Sequence, residues 1–267
     1  MNDAADLRRA SAISPVATPQ VLRVLSLNIQ IGLESSSYRH YLTNAWKHVL
    51  PSRGMRANLD RIAELVRQYD VVALQEADAG SLRTGQLNQV AYLAERAGFA
   101  HWHSAVNREL APFARHCLGA LSQLPMEVVR HHRLPGRIAG RGALELEVRP
   151  LHNAPLRLIV AHLSLGRDCR TRQFSYLAEL AADHPRTLVL GDFNCGPQEL
   201  QGHPGLRDAQ LRSLHMAPTF PSWKPTRSID HVLATPGIEV RRAHVLAERL
   251  SDHLPVVTEI ALQLPPE

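Results

Sequence analysis

The sequence predicts a single α/β domain. No break in composition divides the 267 residues, a length within the range of one larger domain. Hydrophobic residues make up 45% of the chain, enough for one sizeable core. Short apolar runs rich in Val, Leu and Ile recur along the length, with segments of helical spacing between some of them.

The first strand is predicted at residues 21–27, and runs of the same kind follow at 71–74, 156–161, 187–190, 229–234 and 254–260. Alternating apolar and polar residues add strands at 143–148 and around 126–130. Leu59, Ile62, Leu65 and Val66 share one helical face, as do Leu87, Val90, Ala91 and Ala94, and later Phe174, Leu177, Ala178 and Ala181. Helices therefore join some strands and hairpin-like links join others. There is no internal repeat and no low-complexity tract. Residues 33–55, polar and aromatic, and 197–224, broken by Pro and Gly, read as long loops or irregular excursions, which are often functional. Residues 1–20 carry Asp3, Asp6, Arg8 and Arg9 and no apolar stretch of the secretory type, so they read as a mostly disordered leader to a domain spanning 21–263.

Thirty Lys and Arg against 25 Asp and Glu give a net charge of +5 at pH 7, which suits an anionic substrate without naming one. Lys47 and Lys224 are the only lysines. An arginine bias suits bidentate phosphate binding, but a GC-rich genome produces the same bias everywhere, so it identifies no ligand. Cys117, Cys169 and Cys195 form neither an even disulfide set nor a CxxC metal pair, and a cytoplasmic location is expected. No apolar run approaches the roughly 20 residues needed to span a bilayer, so a soluble chain without a transmembrane segment is expected.

The chemically capable residues sit at the ends of the apolar runs. Val24-Leu25-Ser26-Leu27 leads into Asn28, Val71-Val72-Ala73-Leu74-Gln75 into Glu76, Leu158-Ile159-Val160-Ala161 into His162, and Leu188-Val189-Leu190-Gly191 into Asp192, with Asn194 two residues on. Near the C-terminus Asp230-His231 is embedded in Ser228–Leu233 and Ser251-Asp252-His253 precedes the last run. A lone Asn or Asp after a strand is usually a turn residue bonded to its own backbone, and a lone histidine there is usually a satisfied one. Glu76 resists that reading, since a carboxylate after five residues of buried strand is costly unless paired or bound to a cation. Asp192 and Asn194, at i and i+2, would face the same way on a strand. If the strands pack side by side in layered sheets, these ends meet at one rim. That rim is the candidate site.

Taken in order, Leu-Ser-Leu-Asn28, Leu-Gln-Glu76, Ala-His162-Leu, Gly-Asp192-Phe-Asn194, Ile-Asp230-His-Val and Ser-Asp252-His253-Leu-Pro resemble the endonuclease/exonuclease/phosphatase superfamily over about residues 21–263. That deoxyribonuclease I-like group includes abasic endonucleases, neutral sphingomyelinases and inositol polyphosphate phosphatases. Each motif alone is weak, and six in order are specific. The resemblance implies a four-layer α/β sandwich, two mixed β-sheets face to face with helices outside. Leu27 and Ala77-Asp78 depart from the abasic endonuclease pattern. Thr219-Phe220-Pro221-Ser222 resembles a poorly characterised bacterial branch. The family's Tyr-Gly-Asn strand reads His116-Cys117-Leu118 here, so its aromatic phosphate ligand is replaced by His116 or Arg115.

The resemblance implies an enzyme, a divalent-metal-dependent phosphoric ester hydrolase. Glu76, with Asn28 and Asp252, offers hard oxygen ligands suited to Mg²⁺ or Mn²⁺. His253, oriented by Asp230, is expected to bind phosphate or act as general base, Asp192 to orient or deprotonate water, Asn194 to donate to a phosphate oxygen, and His162 to be a phosphate donor or general acid. The expected substrate is a phosphodiester or phosphomonoester of a lipid headgroup or small molecule. The alternatives are a nuclease acting on DNA or RNA, for which Arg130-His131-His132-Arg133, Arg137, Arg141 and Arg241-Arg242 could supply a basic flank, and a non-catalytic binding protein. Charged strand ends are usually solvated. His231 reads as a packing or surface residue on the face opposite Asp230, and Cys195 lacks a second cysteine for a zinc site. Oligomeric state is not legible.

Overall fold

The computed structural model of the chain describes residues 20–33, 53–136, 140–150 and 154–262. Two six-stranded sheets face each other. The first has the order β11 (Glu239–Val245), β12 (Val256–Leu262), β1 (Gln20–Asn28), β2 (Val71–Asp78), β4 (Ala114–Ser122), β3 (His101–Leu110). The second has the order β5 (Met126–Arg133), β6 (Gly142–Val148), β7 (Leu156–His162), β8 (Thr187–Asp192), β10 (Asp230–Ala234), β9 (Arg212–Ser213). Both are mixed. β1 and β2 run parallel, as do β7 and β8, and every other pairing is antiparallel.

Parallel neighbours require a crossover, and helices supply part of each. α1 (Arg53–Val66) lies between β1 and β2, and α3 (Arg167–Ala182) between β7 and β8. α1 buries Leu59, Ile62 and Val66 against the outer face of the first sheet, together with Val90 and Leu93 of α2 (Gln89–Ala97). α2 starts where Asn88 accepts from the amides of Val90 and Ala91 and stops at left-handed Gly98. α3 buries Phe174, Leu177, Ala178 and Ala181 on the outer face of the second sheet. Between the sheets, alternate residues of both meet, among them Val24, Ala73 and Leu118 from one and Leu146, Val160 and Leu190 from the other. The layers are therefore helix, sheet, sheet, helix.

Three expectations are corrected or fall outside. Residues 197–224 are not wholly irregular: α4 (Pro197–Gln201) and α5 (Pro204–Asp208) each begin with proline, which suits the first helical turn, and β9 follows. β3 and β11 were not legible as apolar runs because both are sheet edges rich in polar residues. Of residues 33–55, only Leu33 and those from Arg53 on are described, and of 1–20 only Gln20, so the aromatic loop and the leader lie outside the described residues.

Candidate active site

The ends of the two parallel pairs build the site. In the second sheet, His162 of β7 is in register with Asp192 of β8, which is in register with Asp230 of β10. Residues in register on neighbouring strands face the same way, so three separate motifs become one row. In the first sheet, Asn28 of β1 pairs with Gln75 of β2, and the pairing of β2 with β4 is interrupted between Leu74 and Ala77. That irregularity holds Glu76 at φ 54°, an uncommon conformation for a residue with a long side chain. Asn28 links the sheets, its Nδ2 donating to Asp192 Oδ2 at 3.1 Å while its Oδ1 accepts from the Gln30 amide.

Asp192 is the centre. His162 Nε2 lies 3.4 Å from its Oδ2 and 3.7 Å from Glu76 Oε1, and His253 Nε2 lies 4.0 Å from the same Asp192 oxygen. His253 Nδ1 bonds both carboxylate oxygens of Asp230, at 2.9 and 3.0 Å, and Thr219 Oγ1 donates to Asp230 as well. Two groups of potential cation ligands result, Glu76 with His162 and Asp192, and Asp192 with Asp230 and His253. Asp252, three strands of chain away from Asp192, has a buried Oδ1 with no hydrogen-bond partner among the described residues, 3.9 Å from His253 Nε2. An orphaned carboxylate oxygen beside other carboxylates is a donor set that fits a hard divalent cation.

The electrostatics follow from burial. Burial pushes the Asp192 carboxyl well above the usual carboxylate range, with Asp230 and Glu76 adding to the rise and His253 opposing it. Burial also raises Asp252, to about 6, with Glu76 contributing. For His253 burial acts downward, but Asp230 outweighs it with help from Asp192 and Asp252, and the imidazole is held protonated up to about 10. Burial, followed by Arg141, lowers His162 well below its ordinary value. His162 is thus neutral, and its Nε2 accepts from the Arg141 guanidinium.

Expected and observed placements differ at Asn194 and Arg141. Asn194 is not on the strand with Asp192: it turns off at φ 54°, gives its amide to Asp192 Oδ1 and donates from Nδ2 to the Leu163 carbonyl. Asn28 and Asp192 both accept a bond from the amide two residues on, so the local turn role and the site position coexist in the same side chains. Between Arg115 and His116, His116 reaches the catalytic pocket, whereas Arg115 pairs with Glu109 at 3.1 Å. Arg83, anchored on buried Asp78 at 2.6 Å, sets both terminal nitrogens 3.3 Å from the His116 ring, and burial with Arg83 lowers His116 to about 4. Arg141, grouped in sequence with solvated basic residues, instead lines the pocket with Glu76, Asn107, Arg108 and His162. His231 is buried, donating from Nε2 to the Cys195 carbonyl and packing on Phe193. No helix among the described residues is long and apolar enough to cross a membrane.

Comparison with known proteins agrees with the two-sheet fold. The solved structure of an endonuclease/exonuclease/phosphatase from Beutenbergia cavernae superposes with a TM-score of 0.70 at 22% identity, covering 91% of this chain and 72% of that one. A mannosyl-6-phosphatase of Bacteroides thetaiotaomicron superposes with a TM-score of 0.67 at 16% identity, covering 90% of this chain and 100% of that one. A UPF0294 protein of Yersinia pseudotuberculosis is 29% identical over 124 residues, 42% of this chain and 45% of its own, so the chain spans less than half the length of the curated relatives it matches. Residues 25–253, which run from β1 through His253 and include both sheets, match the Endonuclease/Exonuclease/phosphatase family. The chain belongs to that family.

Proposed function

We propose that this chain is a divalent-metal-dependent phosphoesterase acting on a phosphodiester or phosphomonoester of a small molecule or lipid headgroup. The observation that supports it most is the cluster of Glu76, His162, Asp192, Asp230, Asp252 and His253 around one buried carboxylate. Glu76, Asp252 and Asn28 would hold Mg²⁺ or Mn²⁺ at the rim, where the Glu76 side chain is one-third exposed. The ion, when bound, neutralises charge on the phosphoryl group and the leaving oxygen.

The remaining roles belong to the chain. Protonated His253, fixed by Asp230, presents an Nε2–H between Asp192 and Asp252 and binds a phosphate oxygen as a charged donor. Asp192, with its carboxyl raised toward neutrality, is the better general base for a water molecule. Neutral His162 suits positioning through Arg141 more than proton donation to a leaving group. Arg141 brings a guanidinium to the phosphate, and Asn194 keeps one amide hydrogen for it.

Turnover of bis-p-nitrophenyl phosphate, phospholipid, RNA and plasmid DNA in Mg²⁺ or Mn²⁺ tests the reading. EDTA should abolish activity and added metal restore it. Glu76→Ala should lose at least ~100-fold in kcat, as expected for removal of a metal ligand, with an unchanged circular dichroism spectrum. Full activity in metal-free buffer would refute the metal role.

A further inference from the structure

The pocket that holds Glu76 and His162, about 220 Å³, adjoins a second cavity of about 390 Å³ between β3 and the β5–β6 hairpin. The two share Asn107, Arg108 and Arg141. Beyond that shared wall the second cavity is lined by His131 and Arg133. Its one carboxylate, Glu109, is already paired with Arg115 at 3.1 Å. Arg108 and Arg133, both exposed, have no carboxylate within ion-pair distance among the described residues, whereas Arg141 lies near Asp192 and Glu76 as well as Arg108. Guanidinium groups that line one cavity without a paired carboxylate offer charge-assisted donors to an anion.

We propose that this second cavity is an anion subsite, so that the substrate is a small phosphoester bearing a second phosphate or carboxylate beside the scissile group. The inference rests on the phosphoesterase reading above and narrows its substrate. Size supports a small molecule, since 390 Å³ is in the range of small-ligand pockets. Chemistry supports it too. Single-stranded nucleic acid is held by stacking on aromatic rings, and no Phe, Tyr or Trp lines either cavity among the described residues.

Isothermal titration of the full chain in Mn²⁺ buffer tests the subsite without requiring turnover. The probes are fructose 1,6-bisphosphate against fructose 6-phosphate, and pyrophosphate against phosphate, which cover wide and close spacings of two anions. At least one bisphosphate should bind about tenfold or more tightly than its monophosphate, the gain expected of one charge-assisted contact. Arg133→Gln and Arg108→Gln should each erase most of that advantage, and Arg108→Lys should restore part of it. Equal affinity for both members of each pair in the wild type, or equal loss on both in the variants, would overturn the subsite. A ten-nucleotide DNA strand that binds more tightly than either bisphosphate, and weakens in the same variants, would overturn the small-molecule class. Absence of metal-dependent hydrolysis of bis-p-nitrophenyl phosphate by the wild type would instead count against the phosphoesterase reading, leaving the titration to decide the subsite.

Discussion

Around Asp192, one carboxylate receives the Asn28 amide, faces His162 at 3.4 Å and His253 at 4.0 Å, and caps its own turn through the Asn194 amide. Such sharing makes neighbouring substitutions interdependent. Among the described residues the Asp230 carboxylate is hydrogen-bonded to His253 and Thr219, so Asp230→Asn and His253→Ala should not be additive. The double variant is expected to be about as slow as the slower single one, and multiplicative losses in kcat would show that the two residues act separately. Asp252 illustrates the opposition of stability and function. Its folded-state pKa, about 6, exceeds the ordinary carboxylate value, so the proton stabilises the fold. That contribution is complete below about pH 4 and is lost as pH rises through about 6. At pH 8 without metal the charge is a burden, and Asp252→Asn should stabilise the protein by about 1–3 kcal/mol. Urea midpoints at pH 8 and pH 4 check this, because the difference should nearly vanish at the lower pH.

At the scale of elements, the approach of β7 to β8 sets the spacing of His162 and Asp192. Gly191 sits at φ 140°, and a Cβ built there would lie 2.0 Å from the Ala161 carbonyl oxygen of the partner strand. Backbone cannot yield as a flexible side chain can. Gly191→Ala should therefore cost more than about 3 kcal/mol, seen as a lowered urea midpoint or insoluble expression, and wild-type stability would mean that the two strands can part. Element visibility in the sequence followed position in the sheet. β1, β2, β7 and β8 are central, buried on both faces, and read as continuous apolar runs. β3 and β11 are edges, where polar and charged residues discourage pairing with other chains and erase the apolar signal. The helical faces of α1 and α3 were legible because burial on one side imposes a 3.6-residue period.

Across the whole molecule, the two sheets repeat one plan that the sequence does not display. β12-β1-β2-β4 and β6-β7-β8-β10 each place a parallel pair between antiparallel neighbours. Parallel strands end at the same edge of their sheet, the place where α/β sheets gather polar groups. With the sheets face to face, Asn28 and Glu76 from one pair meet His162 and Asp192 from the other. The candidate cation ligands at the rim thus come from both sheets. The first residue of β10 adds Asp230, and the segment before β12 adds Asp252 and His253.

The sequence by itself determined the chemistry-bearing residue types, their order and their attachment to buried central strands, because a polar group at the end of an apolar run is a local pattern. It also determined the helical faces, for the same reason. The tertiary structure decided which of those residues touch. Asn28 and Asp192 are 164 positions apart, and their contact depends on sheet register and on the packing of one sheet over the other, neither of which has a local period. The same physics moved Arg141 from a presumed solvated stretch to the face of His162, put His116 in the pocket lining and Arg115 against Glu109, and turned Asn194 off its strand. Desolvation, which lowers His162 and raises Asp192 and Asp252, and the Asp230 contact that outweighs it at His253 exist only once the two sheets have closed over these groups.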